Sequence, residues 1–390
     1  MVKRAVIITL VCLLMGAVMV SAEEKKVLMI QNADYANVVT LGAVPDDGKD
    51  DTEAFQMAAY INKPIFVPAG VYQITKTIEL DSLVLMGAGS ELSIIEADLA
   101  VTTDPIVKAD RTSEVRDICL SYKEGLVTGK ERVGERVAIY PGGIRWTLQR
   151  GSTISNVKMQ NVGTGIYAPS TKVAEEVCPF SVTFESVSVI DFSFRGFDFQ
   201  TEGRTGNVFR NLYFSSGKYS ADSAFYTRGS ESEMDICELT IEDSKLKTPI
   251  SFVHLYAISA TNINVISTEL TKSNTAFLYI ENSAGYIEGL NIINSLPSDT
   301  KNSFIRAGDN IYSSYMFDNL GLLKIENLNI QNAKASEKLT RESEFISRKS
   351  ASMNDFTVEI GRYSFTAPDG QSEIYEAFHC GKNIIVNKNK

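Results

Sequence analysis

Asp198, Gln200 and Glu202 occupy every second position after Phe197. One repeat later Tyr226, Arg228 and Ser230 do the same after Phe225. In an extended strand alternate side chains share a face. If the two segments stack as neighbouring strands, about 4.8 Å apart, Asp198 meets Tyr226 and Gln200 meets Arg228. Arg204 follows in "TEGRTGN". The constellation would hold two carboxylates for general acid–base work, two guanidinium groups to fix an anion or take a proton, and a ring for a flat ligand to stack on. Asp198 and Glu202 lie roughly 13 Å apart in fully extended chain, and a bend after Gln200 would draw them together. Asp–Arg neighbours are also common as plain surface pairs of small energetic weight.

Only a regular framework can place such residues side by side, and the chain carries one. Short triplets of alternating apolar character recur at Val157-Lys158-Met159, Val187-Ser188-Val189, Leu212-Tyr213-Phe214 and Leu239-Thr240-Ile241. They continue at Ile263-Asn264-Val265, Leu290-Asn291-Ile292, Leu328-Asn329-Ile330, Phe356-Thr357-Val358 and Ile384-Ile385-Val386. A second column, out of phase with the first, runs Phe197, Phe225, Phe252, Phe277, Phe304, Phe345 and Phe378. Period-two alternation predicts half-buried strands, and a repeat of this length predicts a solenoid. No single turn can bury its apolar side alone; stacking turns in parallel does so. The register leaves two arrangements. With the Phe column inward, the Asp198 patch faces out. With the following position inward, the Phe column, Thr227, His254, Tyr279 and Arg306 face out as an aromatic groove. We take the Phe residues as inward.

The open end of such a coil exposes strand edges and needs a cap. "LGAVPDDGKDDTEAFQMAAY", residues 41–60, suits one. Asp50 or Asp51 can cap a helix, Asp50 with Glu53 has capping-box spacing, and Phe55, Ala58 and Ala59 form an apolar face. The functional alternative for Asp46, Asp47, Asp50 and Asp51 is metal binding. Residues 42–90, from "GAVPDDGKDDTEAF" to "LVLMGAGS", resemble the N-terminal signature of the pectate-lyase-like superfamily, of rhamnogalacturonase and epimerase type. The resemblance implies an all-β, single-stranded, right-handed parallel β-helix with a short capping α-helix at about 50–62. It also implies a carbohydrate substrate, without fixing the reaction.

On that premise the expected function is an exported glycoside hydrolase or polysaccharide lyase acting on a complex, pectin-like polysaccharide in a groove along the coil. The alternative is a non-catalytic exported β-helix for glycan binding or adhesion. The polygalacturonase motifs NTD, mid-chain DD, GHG and RIK are absent, and neither His254 nor His379 has flanking glycines. The site must therefore be built from the stacked columns: Asp198, Glu202 and Arg228 as catalytic groups, with Gln200, Arg204 and Tyr226 binding substrate. Inversion through a trapped water needs carboxyl groups roughly 6.5–9.5 Å apart. A lyase could use Arg228 or Arg204 as base, with Ca2+ as a possible cofactor to neutralise a uronate.

The ends and the charge bound the rest. "MVKR", an apolar run from Ala5 to Val20 and Val20-Ser21-Ala22 predict a cleaved signal peptide over 1–22, too short to span a bilayer. Residues 23–390 would form one domain, secreted or periplasmic, with no later membrane segment. Loss of Lys3 and Arg4 takes the net charge from −10 to −12, which disfavours nucleic acid as a partner. It would also repel a polyuronate unless a local basic strip compensates. Cys119, Cys178, Cys237 and Cys380 remain, with no pairing assignable from sequence.

Overall fold

The structure, a computed structural model, describes residues 34–110, 112–141, 151–169, 182–200, 207–228 and 233–295 apart from 254, 256, 274 and 282. It further describes 302–308, 322–332, 344–348, 357–366, 379–380 and 385–386. The expected signal peptide, Glu202, Arg204, Ser230, His254, Cys178 and Phe378 lie outside the described residues.

The chain coils as a parallel β-helix with three long strand stacks. The first stack runs Ile65–Val67, Val84–Gly87 and then the leading halves of Glu114–Tyr122, Thr153–Ala168, Thr183–Gln200 and Asn207–Ser215. It goes on through Glu233–Glu242, Ala257–Ile266, Gly285–Ile293, Leu322–Gln331 and Thr357–Thr366. These strands then bend into the second stack at one residue of left-handed backbone. Asp117, Asn156, Ser186, Asn211 and Glu238, with φ between 49° and 67°, sit at that bend in successive turns. Asn, Asp and Ser tolerate this conformation better than branched residues do. The third stack runs Ile78–Asp81, Val107–Asp110, Val137–Pro141, the last part of Thr153–Ala168 and of Thr183–Gln200, then Ser223–Arg228, Ile250–Val253, Ala276–Glu281 and Ser303–Gly308.

The first seven triplets stand in register, Val157 beside Val187, then Leu212, Leu239, Ile263, Leu290 and Leu328. The eighth does not. Leu328 pairs with Tyr363, not Phe356, because an apolar triplet recurs within the same strand and sequence spacing cannot choose between the two.

The Phe column points inward: Phe197, Phe225, Phe252 and Phe277 have no exposed surface and Phe304 almost none. It is not one ladder, however. Phe197 pairs with Phe225, but Phe225 pairs with Ile250, which puts Phe252 opposite Thr227. Ile250 pairs with Leu278, so Phe277 lies one residue before the ladder position. Phe225 and Phe252 still touch, with ring centroids 6.1 Å apart. The densest part of the core joins all three stacks through Phe184, Phe197, Phe199, Phe209, Phe214 and Phe225, whose rings meet at 5.0 to 6.4 Å. Each ring so buried contributes about 2–3 kcal/mol. Gly196 makes this possible, since a Cβ there would come within 2.4 Å of both the Ala224 carbonyl oxygen and the Phe214 ring.

The acidic corner is a structural cap. Helix Thr52–Tyr60 buries Ala54, Phe55 and Ala58. Asp51 stands at its N-cap position but makes no helix-capping bond. Its carboxylate instead accepts the backbone N–H groups of Val44 and Gln73. Asp50 accepts the N–H of Thr52, and Asp46 that of Val71. These acids bind the loop to the first strands. Among the described residues no helix is long and apolar enough to cross a membrane.

Candidate functional site

The register of the third stack sets one outward column: Glu79, Lys108, Tyr140, Tyr167, Asp198, Tyr226, Ser251, Tyr279, Arg306. Tyr140 and Tyr167 meet edge to face at 5.6 Å. Two residues on, a parallel column holds Gln200, Arg228, Val253, Glu281 and Gly308. Asp198 thus lies beside Tyr226, and Gln200 beside Arg228. Beyond Tyr226 the first column leads to Ser251 and Tyr279 rather than to Val253 and Leu278, and beyond Arg228 the second leads to Val253 and Glu281. Tyr279 and Arg306 face outward together with Tyr226, a combination of the two registers considered from sequence.

A cleft of about 440 Å³ opens over these columns, lined among others by Arg195, Asp222, Tyr226, Arg228, Lys247, Tyr279, Glu281 and Arg306. Arg195 is its hub. The guanidinium pairs with Asp198 at 2.9 Å and with Asp222 at 2.8 Å, and lies over the Tyr226 ring at 3.6 Å. Lys247 reaches the other oxygen of Asp222 at 3.2 Å. Gln200 donates to Asp198 at 3.1 Å.

The acids occupy different environments. Asp198 has no exposed surface. Burial pushes its carboxyl up to about 6, although Arg195 and Gln200 act against the rise. It underlies the cleft and does not line it. Burial also works to raise Asp222, but Arg195 and Lys247 outweigh it and hold that carboxyl below its usual range. Glu281 is nearly buried and accepts a short hydrogen bond from the Tyr279 hydroxyl. Burial, then Glu281 itself, raises the Tyr279 phenol far above its ordinary value, so it stays a proton donor. The cleft walls carry four cations, Arg195, Arg228, Lys247 and Arg306, against Asp222 and Glu281.

Of the residues singled out from sequence, Asp198, Gln200, Tyr226 and Arg228 come together here; Glu202 and Arg204 lie outside the described residues. Arg195, Asp222, Lys247 and Glu281 escaped that reading. Arg195 and Asp222 precede their strands' Phe positions, and Glu281 is reached only after the slip between Phe225 and Phe252 is known. Among the described residues no three His, Cys, Asp or Glu side chains gather as a metal site. The carboxylates of Asp198 and Asp222 are already engaged by Arg195, Lys247 and Gln200, so they do not fit a calcium ligand set.

A family model described as rhamnogalacturonase A/epimerase, pectate lyase-like matches residues 35–265. No curated protein sequence matches the chain. Among solved structures, the catalytic domain of a GH87 alpha-1,3-glucanase in complex with tetrasaccharides is similar, at a TM-score of 0.54 and 14% identity over 92% of this chain and 68% of that one. The same catalytic domain with nigerose gives a TM-score of 0.53 at 14% identity, again over 92% and 68%. The Acinetobacter baumannii phage AM24 tailspike protein gives 0.51 at 13% identity, over 88% of this chain and 56% of that one. At such identities the likeness is one of fold.

Proposed function

This chain belongs to the rhamnogalacturonase A/epimerase, pectate lyase-like family, and from that premise we propose that it is an exported carbohydrate-active enzyme cleaving a pectin-like polysaccharide in the Arg195–Arg306 cleft. One observation carries the reading: a column of outward tyrosines opens on a cleft that joins a cation excess to a Tyr279–Glu281 proton-carrying pair. Tyrosine rings offer sugar faces a stacking surface. Arg228 and Arg306 would bind a uronate carboxylate, and they compensate locally for an acidic chain. Asp222, locked between Arg195 and Lys247, serves as an electrostatic anchor. Tyr279 gives its phenolic proton to the leaving oxygen. Glu281, the carboxylate that accepts the Tyr279 hydroxyl, takes a proton from the attacking water in hydrolysis or from the uronate ring carbon in elimination and passes it to the phenolate. Asp198 acts through Arg195 and is a positioning residue. The likeness to GH87 alpha-1,3-glucanase domains in complex with tetrasaccharides and nigerose agrees with saccharide handling on this fold.

The test is a screen of pectic and other plant glycans. Unsaturated uronate ends, seen by ultraviolet absorbance, mean elimination; saturated new reducing ends mean hydrolysis. Glu281→Gln and Tyr279→Phe should each lower kcat by about a hundredfold or more with circular dichroism unchanged. Full activity in both would remove the assigned pair. The second reading, binding without cleavage, draws on Asp222 being tied to two cations, and predicts retention of glycan with no products.

A further inference from the structure

A larger cleft, of about 770 Å³, lies at the other end of the same outward column. Helix Thr52–Tyr60 forms one wall through Phe55, Gln56 and Ala59, and the third stack forms the other through Glu79, Lys108 and Tyr140. Pro105 and Pro169 complete an apolar floor around Tyr140. The rim carries Lys76 and Lys108 against Glu79 and Asp104, with Gln56, Thr77 and Thr103 between them. Rings and prolines suit the C–H face of a sugar; hydroxyl and amide groups suit its edge. The balanced charge suits an uncharged sugar, in contrast with the cation excess of the central cleft.

The two clefts are not independent surfaces. Tyr140 stands at the cap cleft, Tyr167 and Asp198 follow on the next two rungs, and Tyr226 lines the central cleft. At about 4.8 Å per rung, Tyr140 and Tyr226 are roughly 14 Å apart, and Lys108 and Arg306 roughly 34 Å. Both clefts open on one face, with a tyrosine bridge between them. We infer that the cap cleft is a second, non-catalytic saccharide site that holds an uncharged stretch of the same polysaccharide strand whose acidic stretch occupies the central cleft. The inference rests on the proposed function and extends it to a tethered, long-chain substrate.

The closing experiment measures binding of length-graded oligosaccharides from rhamnogalacturonan, homogalacturonan and alpha-1,3-glucan to the full chain by calorimetry. Gln56 is exposed on the helix, so Gln56→Trp fills the cleft mouth without touching the core. Gln56→Ala is the size control, and Tyr140→Ala removes the floor ring. Gln56→Trp and Tyr140→Ala should weaken the longest bound oligosaccharides about tenfold or more. Binding of the shortest ones to Gln56→Trp, and of all lengths to Gln56→Ala, should stay unchanged. Unchanged long-chain affinity in Gln56→Trp and Tyr140→Ala overturns the second site while leaving the central cleft intact. Affinity independent of length in the unmodified chain overturns it as well. No binding of any oligosaccharide removes the proposed function, and this inference with it.

Discussion

Asp198 shows how burial changes what a carboxylate does. It was attractive as a catalyst because it alternates with Phe197 and Phe199, but that same alternation seats it between Tyr167 and Tyr226 under the Arg195 guanidinium. Its folded-state carboxyl titrates at about 6, above the roughly 3.9 of an unfolded aspartate. The folded chain therefore binds the extra proton between those values, and this group's contribution falls as pH rises from about 4 to about 6. The span corresponds to about 3 kcal/mol. Asp198→Asn should remove it: urea unfolding at several pH values should show the wild type losing stability across that window relative to the variant. Parallel profiles would mean that Asp198 does not titrate in the interior. Arg195 has the complementary role, since its planar fork reaches two acids and a ring at once, which a lysine ammonium could not reproduce.

Among the elements, the bend between the first and second stacks is the repeated device that keeps the columns aligned. Asn211, at φ 49°, is exposed, and its amide donates to Ser186 of the previous turn at 3.2 Å. Asn211→Val should cost about 1–3 kcal/mol because a branched side chain is strained there, whereas Asn211→Gly should be close to neutral. Thermal unfolding of the two variants distinguishes backbone strain from loss of the Ser186 contact; equal losses would identify the hydrogen bond as the cause. On the second stack the side-chain amides of Asn264, Asn291 and Asn329 each donate to the preceding turn, to the Thr240 hydroxyl and to the amide oxygens of Asn264 and Asn291, at 2.9–3.3 Å, locking successive turns from outside. The capping loop does comparable work at the end of the coil, where the acids of "PDDGKDD" accept backbone N–H groups that the first strands would otherwise leave unpaired.

For the whole molecule, each turn contacts chiefly its neighbours, so stability is built turn by turn. The Phe184–Phe225 cluster lies beneath the central cleft, and the cleft's geometry depends on it. Phe197→Ala should destabilise by about 3–5 kcal/mol. It should also loosen Asp198 and Arg195 on the adjacent positions, so that hydrogen exchange in 195–200 and 223–228 rises first. Exchange that rises uniformly along the coil would instead indicate one cooperative unit. An acidic chain carries a locally cationic cleft, so net charge alone does not exclude an anionic ligand there. The sum of charges does not describe the field where four cations converge.

Alternation, the recurrence of apolar triplets and the marked corner at residues 41–60 determined the coil and its cap, because strand periodicity and stacking are properties of local sequence repeated. Which way the Phe residues face was open between two registers, and their burial in the fold decided it. The adjacency of Asp198 with Tyr226 and of Gln200 with Arg228 was legible for the same reason: one repeat separates them without a slip. What followed Arg228 was not. Phe252 and Phe277 leave the Phe197–Phe225 ladder by two residues and by one, and apolar residues fill the interior equally well in either register. Only the tertiary hydrogen-bond register decided that Tyr279, Glu281 and Arg306 share the cleft, and that Arg195 and Asp222 cover Asp198. Pairing between strands is fixed by backbone geometry and packing across turns, and neither is written in the order of residues within any single turn.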